Sequence, residues 1–513
     1  MKSWTPPTDE MLEKVTMSVK KETDRQYFFS KLKNPLWVQP LHERGYFSNP
    51  PRRKDLPDGF VQFPHWPELK YLVTVAEEAS EQVVKIVLSL PSTDNPNIYN
   101  YIVDIALKLD GNKSIELLPK IIEGIRFCKS SLNHRYSEVL QYWTSLGKTE
   151  HALKLLRIII PFFKDPKTRE KQLIRKKNPR SVDSILEPEP RFEQWEYQQL
   201  LDNGVRPLVD REPYLVAYVL ISEVANMIRL GFYPDDLKIQ GDEDFSEIWC
   251  PRLGMSDFDC QDRKEALTQA LTDACEKVYE VESKSIELLD DDLRKEPWKL
   301  FKRLRQHLYA SYPNEQILPW IREQILSHED YAKCEHHFEF QRMIRESCEH
   351  FGQQLLSSDE RKVIFDSILS GPSKADFQNW MEDQYTEEAF QKRQRYFHRK
   401  QLHPFYALLY GEVLDYFNGL EGEIEAKPIT DDSYKPCGGV SGGSVIYRSP
   451  KSREDLDKFT DRDLLDYLNN WDDEHHDKDN WLIEINFFAL ADIFQSLFKD
   501  KIIRDNERFG YWI

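Results

Sequence analysis

The chain has 513 residues, with 88 Asp and Glu against 70 Lys and Arg, for a net charge of −18. That balance argues against broad nucleic-acid binding, where Lys and Arg supply affinity by neutralising phosphates. Apolar residues, at 40%, suffice for a core, while 31% charged residues exceed the roughly 25% of an average domain and suit a thin helical structure with much surface.

Residues 8–33 read as one helix capped by Thr8, with Met11, Val15, Val19 and Tyr27 along a face. Next comes YFFSKLKNPLWVQPLHERGYFSNPP at 27–51, continued by GFVQFPHWPE at 59–68, where aromatic residues crowd between prolines. Phe28, Phe29, Leu32, Leu36, Trp37 and Leu41 fall at three- and four-residue steps, with a break at Pro35. Trp66, before Pro67, opens the next helix with proline in its first turn. This pattern predicts core packing between adjacent helices, with Phe28, Trp37 and Trp66 as structural anchors; an aromatic ligand pocket is the sharper alternative.

From 67 to 163 the spacing is regular, with helices expected at 67–79, 81–90, 96–109, 113–128, 135–146 and 150–163 between short turns. Helix pairs of this size recur at about 40 residues in HEAT-like arrays. The predicted fold is therefore all-α, a HEAT-like α-solenoid with irregular loop insertions, whose first domain covers 1–163 together with its leader helix. Residues 164–191 read as a basic, proline-rich linker on the surface. In 164–180, Lys164, Lys167, Arg169, Lys171, Arg175, Lys176, Lys177 and Arg180 stand against only Asp165 and Glu170. Arg175, Lys176 and Lys177 make a candidate docking patch for an acidic partner. No aromatic residue interleaves these charges to stack bases, so weak, salt-labile nucleic-acid binding at most and early tryptic cleavage are expected.

A second helical region is expected over 192–420, with helices at 192–203, 213–230, 263–290, 298–311, 314–327, 335–352, 359–370, 386–399 and 404–420 and an irregular insertion near 231–260. A Gly/Pro/Ser-rich loop follows at 421–453. The C-terminal segment 454–513 is expected to be helical again, notably at 461–471 and 481–498.

Several motifs approach known chemistry. Gly147-Lys148-Thr149 copies the tail of a phosphate-binding loop, but Tyr142 stands where that loop needs an earlier glycine. The simpler reading ends one helix at Gly147 and caps the next with Thr149. Gly439-Val440-Ser441-Gly442-Gly443 fits G-x-S-x-G without the strand and helix that a nucleophile elbow requires. Cys334, His336, His337, Cys348 and His350 offer zinc-type donors, of which Cys334 and His337 could share a helix face. Asp472, Asp473, Glu474, His475, His476, Asp477 and Asp479 could hold a divalent ion, Asp473, His475 and His476 being the best candidates. Ordinary helical roles and a solvated loop are the competing readings, and no catalytic residue or cofactor is assigned.

The blocks YFFSKL, NPLWVQPL, GYFSNPP, FPHWPELKYL and IVLSLPSTDNPNIY resemble the helical-repeat region of large, mostly uncharacterised bacterial proteins. Some of these carry a STAND-type nucleotide-binding module and look like antiviral defence proteins. The likeness continues through PRFEQWEYQQLL at 190–201, YAKCEHHFEFQRMIRESCEHFG at 331–352 and SREDLDKFTDRDLLDYLNNW at 452–471. Those proteins continue past the equivalent of Arg508-Phe509, so a short or truncated member is expected.

The resemblance implies a sensing or scaffolding part of a defence system, with any nucleotide hydrolysis on another module. The functional expectation is a non-enzymatic helical-repeat scaffold or sensor that binds a protein partner. The alternative is a metal-dependent hydrolase or nuclease using the acidic/His cluster. No run of eighteen apolar residues is present, so no membrane span is expected, and the stretch MKSWTPPTDEMLEKV lacks the apolar core of a signal peptide. The seven scattered cysteines read as reduced thiols, giving a cytoplasmic expectation. Oligomeric state is not specified by any of these features.

Overall fold

The computed structural model describes residues 4–57, 59–127, 133–178, 183, 185–233, 244, 246, 253, 262–328, 331–332, 338–381, 386–421, 446–448, 455–456, 458–460, 462–463, 467 and 483–485. The chain divides into two compact units, Met1–Ser433 and Tyr434–Ile513. The described residues are mostly helical, with three two-stranded sheets.

Thr8 caps helix α1 (Asp9–Ser18) by accepting from the Met11 amide at 3.3 Å. The single helix expected over 8–33 is in fact two, because a second start competes with continuation. The Asp24 carboxylate accepts from the Lys21 amide and opens α2 (Glu22–Lys31). The buried face also differs from the predicted one: Leu12 and Phe29 are buried, whereas Met11 is 51% and Tyr27 69% exposed. A 3₁₀ turn at Pro35–Trp37 leads into α3 (Val38–Glu43).

The aromatic stretch then splits. Trp37, Phe47, Trp66 and Tyr71 are buried, and the Tyr71 hydroxyl donates to the Asn34 carbonyl at 2.7 Å. Phe28 is only partly buried. Residues 54–62 form a hairpin, β1 (Lys54–Asp55) with β2 (Val61–Gln62), that leaves Phe60 72% exposed. Core packing therefore does not extend to Phe60 and Phe63. Buried Asn95 fixes the hairpin base, donating to the Pro51 and Pro64 carbonyls at 3.0 and 2.7 Å.

Helices α4 (Pro67–Thr74), α5 (Ser80–Ser89), α6 (Pro96–Ala106), α7 (Gly111–Glu116), α8 (Leu118–Phe127), α9 (Asn133–Ser145) and α10 (Thr149–Ile159) follow. Proline begins α4 and α6, where its missing N–H would have had no intrahelical partner. Pro119 lies at the start of α8, consistent with the division of the predicted 113–128 helix into α7 and α8. Contacts alternate: α2 packs on α4, α4 on α6, α6 on α8 and α8 on α10, while α3 packs on α5 and α5 on α7. Gly147, at φ 72°, ends α9 as its sequence suggests, but Thr149 does not cap; Lys148 holds that position without a side-chain cap.

The described residues of the segment expected to be a surface linker form a strap of two strands and a helix. Strand β3 (Phe162–Phe163) pairs antiparallel with β4 (Glu189–Pro190), and α11 (Thr168–Lys177) lies between them. The buried Asp165 organises the strap by accepting from the Lys167 and Glu187 amides at 2.7 and 3.0 Å and pairing with Lys171 at 2.7 Å. Burial alone would push its carboxyl up, yet the Lys171 ammonium and these amides hold it below the usual carboxylate range.

Next come α12 (Gln194–Gln199), a π-helical turn at Leu200–Val205, α13 (Arg206–Arg211) and α14 (Pro213–Leu230), so the helix expected to stop at Asn203 continues. The apolar α14 packs against α13, α15 (Arg263–Val281) and α16 (Ile286–Lys295). The predicted helix 263–290 is thus two helices, separated by a 3₁₀ turn at Ser283–Ser285.

Helices α17 (Lys299–Ser311), α18 (Leu318–Leu326), α19 (Phe338–Phe351), α20 (Ser358–Ser370), α21 (Lys374–Met381), α22 (Glu387–Leu402) and α23 (Gly411–Glu421) complete the described part of the first unit. Buried Arg303 on α17 pairs with buried Glu339 on α19 at 3.0 Å.

In the second unit, β5 (Ile446–Arg448) pairs in parallel with β6 (Ile483–Ile485). This overturns both the expected loop at 446–448 and the expected helix start near 481. The β-branched residues Ile446, Ile483 and Ile485 suit a strand better than a helix.

Candidate functional site

A groove of about 430 Å³ runs between α12–α13 and α15. Gln198, Asp202, Arg206 and Asp210 line one wall at steps of four residues. In an α-helix of about 3.6 residues per turn, each such step over-rotates by about 40°. The wider π turn at Leu200–Val205 under-rotates and returns the row to one face.

Gly204 permits this path. A Cβ there would lie 3.0 Å from the Leu140 side chain and 3.3 Å from the Ser137 backbone on α9. The opposite wall follows ordinary helical spacing through Gln269, Asp273, Glu276, Lys277 and Glu280.

Five carboxylates, those of Asp202, Asp210, Asp273, Glu276 and Glu280, share the groove with two cations, Arg206 and Lys277. Most are braced. Gln198 donates to both Asp202 oxygens at 3.2 and 3.1 Å, and Gln269 donates to Asp273 at 2.7 Å. Lys277 pairs with Glu280 at 3.1 Å. Glu276 lies 2.6 Å from Nε2 of buried His307, whose Nδ1 faces Arg342 at 3.2 Å. Because a guanidinium only donates, Nδ1 accepts and Nε2 carries the proton given to Glu276.

Asp210 has no hydrogen bond or ion pair among the described residues. The Asp273 carboxyl is pushed above its ordinary range, first because the groove walls displace water from it. The hydrogen bond from Gln269 opposes this, the charges of Glu276 and Asp202 add to it, and Arg206 opposes it. Carboxylates thus outnumber cations five to two in the groove. Carboxylates that only accept hydrogen bonds suit ammonium or guanidinium groups.

A more open depression of about 500 Å³, lined by Tyr27, Phe28, Lys31 and Leu32, lies beside α2. Phe28 lines this depression with one side and packs against the core with the other, its ring 5.0 Å from Phe29 and 5.9 Å from Trp37. Trp37 and Trp66 are buried as the spacing implies.

Of the zinc-type candidates, Cys334, His336 and His337 lie outside the described residues, as do Asp473, His475 and His476 and the glycines at 439–443. Cys348 is buried in α19, where burial pushes its thiol up. Among the described residues no group of three or more His, Cys, Asp or Glu side chains is arranged to hold a metal ion. Lys148 donates to Asn112 at 2.6 Å, a structural bond between neighbouring turns. Arg175, Lys176 and Lys177 form the last turn of α11, with Arg175 over the Tyr233 ring at 4.4 Å.

Sequence spacing did not single out the groove residues. The available signal was the four-residue polar step 198–202–206–210, masked by Gly204 and Pro207. Comparison with protein-family models, with curated proteins and with solved structures gave no match.

Proposed function

We propose that the chain is a non-enzymatic helical-repeat scaffold, a HEAT-like α-solenoid, whose acidic groove holds a basic segment of a protein partner. The alternating contacts of α2 to α10 support the repeat reading, since in such arrays each unit packs on its neighbours. The observation that carries the binding reading is the groove itself, with five carboxylates against two cations. A bound Lys or Arg supplies the missing countercharge. The resemblance of most of the chain to helical-repeat proteins, some of them associated with antiviral defence, suggests a cytoplasmic bacterial setting, with any nucleotide hydrolysis on a separate module.

Fluorescence anisotropy with a labelled ten-residue Lys/Arg peptide tests this reading. The peptide binds at 0.1 M salt, a Gln-substituted peptide does not, and Asp202→Asn with Asp273→Asn weakens binding about tenfold. Equal binding of both peptides, or none, contradicts the proposal.

A further inference from the structure

Helix α11 is unusual among the surface helices because none of its ten residues is buried. An isolated helix shorter than about 12–15 residues is marginal in water, so α11 depends on the strap that holds it. Its two faces differ in chemistry. The inner face carries Thr168, Lys171, Ile174 and Arg175, all partly covered, with Lys171 pairing with Asp165 at 2.7 Å and Glu187 at 3.4 Å. The outer face carries Arg169, Leu173, Lys176 and Lys177, at helical spacing and all exposed, Leu173 by 62%. Arg169, Lys176 and Lys177 make no ion pair among the described residues. One exposed apolar side chain among unpaired cations gives this face a charge opposite to that of an acidic surface.

The complementary groove is on the same chain. Its walls run from Gln198 to Asp210 and from Ala266 to Glu280, about 18 and 21 Å at about 1.5 Å per residue. Helix α11, with ten residues, is about 15 Å long. The groove is acidic at its rim and offers Ala270, Val205 and Val209 toward its floor.

We infer that the outer face of α11 docks in the acidic groove of a second copy of this chain, so that copies assemble head to tail. This rests on the groove reading above and names its occupant. Leu173 meets the apolar floor while Arg169, Lys176 and Lys177 face the rim carboxylates. The contact uses different surfaces on the two copies, so it propagates into a ring or an open filament. Copies of net charge −18 repel one another, but at 0.1 M salt the Debye length is about 10 Å, which screens distant charges and leaves close pairs effective.

Sedimentation velocity over a range of concentrations tests the assembly. At 0.1 M salt the mass rises above that of one chain with concentration, and at 1 M salt it falls back. Arg169→Glu with Lys176→Glu and Lys177→Glu, all exposed positions, weakens association more than tenfold with an unchanged circular-dichroism spectrum. Asp202→Asn with Asp273→Asn also weakens it. An equimolar mixture of the two variants recovers complexes that stop at two chains, because one working surface of each kind remains. A single-chain mass under every condition, or association untouched by the α11 changes, overturns the inference. If the single chain still binds the Lys/Arg peptide, the groove reading survives and only its occupant is wrong; if it binds neither, both fail.

Discussion

Replacing Asp165 by Ala should release the strap at 164–190 and leave the rest of the first unit folded. This buried carboxylate holds the Lys167 and Glu187 amides and the Lys171 ammonium, tying both ends of the strap to one point. A hydrogen bond to a charged group contributes about 1.5–3 kcal/mol, so losing the two amide bonds, together with one of the two ion pairs of Lys171, costs about 3–5 kcal/mol. The helix of the strap buries no residue, so its remaining anchors are the β3–β4 pairing, buried Leu186 and the Arg175–Tyr233 stack.

Hydrogen exchange read peptide by peptide should show protection lost in α11 and retained in α14 and α17. Trypsin should cut at Lys176 or Lys177 in the variant before it does so in the parent chain. The pH dependence has a definite sign. The folded carboxyl titrates below its unfolded value, so its contribution is present above the unfolded pKa and is lost as pH falls through the folded one. Unchanged protection of α11 in Asp165→Ala would refute this account of the strap.

Two further outcomes follow from the packing and the groove. Trp37→Ala removes a side chain that is only 9% exposed and should lower stability by about 3–5 kcal/mol in thermal unfolding; an unchanged melting temperature would show that Trp37 is not an anchor. Asp273→Asn removes a carboxylate whose ionised form the fold disfavours, so the variant should melt higher than the parent at neutral pH. That gain should vanish below the unfolded carboxylate pKa of about 3.9, and a lower melting temperature at pH 7 would contradict the electrostatics.

Helix boundaries were legible where a residue left the backbone little choice, as at Thr8, Pro67, Pro96 and Gly147. The aromatic stretch revealed its anchors at Trp37 and Trp66 but not the exposure of Phe60. Composition does not say which residues a hairpin lifts away from the core. The strap was read as a linker because clustered cations followed by acidic and proline-rich residues look like a solvated surface loop. Its order comes from Asp165 meeting Glu187, a contact between positions distant in sequence. The groove was hidden because Gly204 and Pro207 signal a helix end, whereas the chain passes through a π turn. The apolar run at 481–498 was assigned to helix although Ile483–Ile485 form β6, an ambiguity built into short apolar runs.

The most direct measurement is calorimetric titration of the purified protein with the Lys/Arg peptide across the acid range to neutral pH. A cation favours the ionised form of Asp273, so affinity should rise with pH through the acid range and then level off, and it should fall when Asp202 and Asp273 become Asn. Absence of binding at 0.1 M salt, or binding indifferent to pH and to both substitutions, would contradict the assignment of the groove.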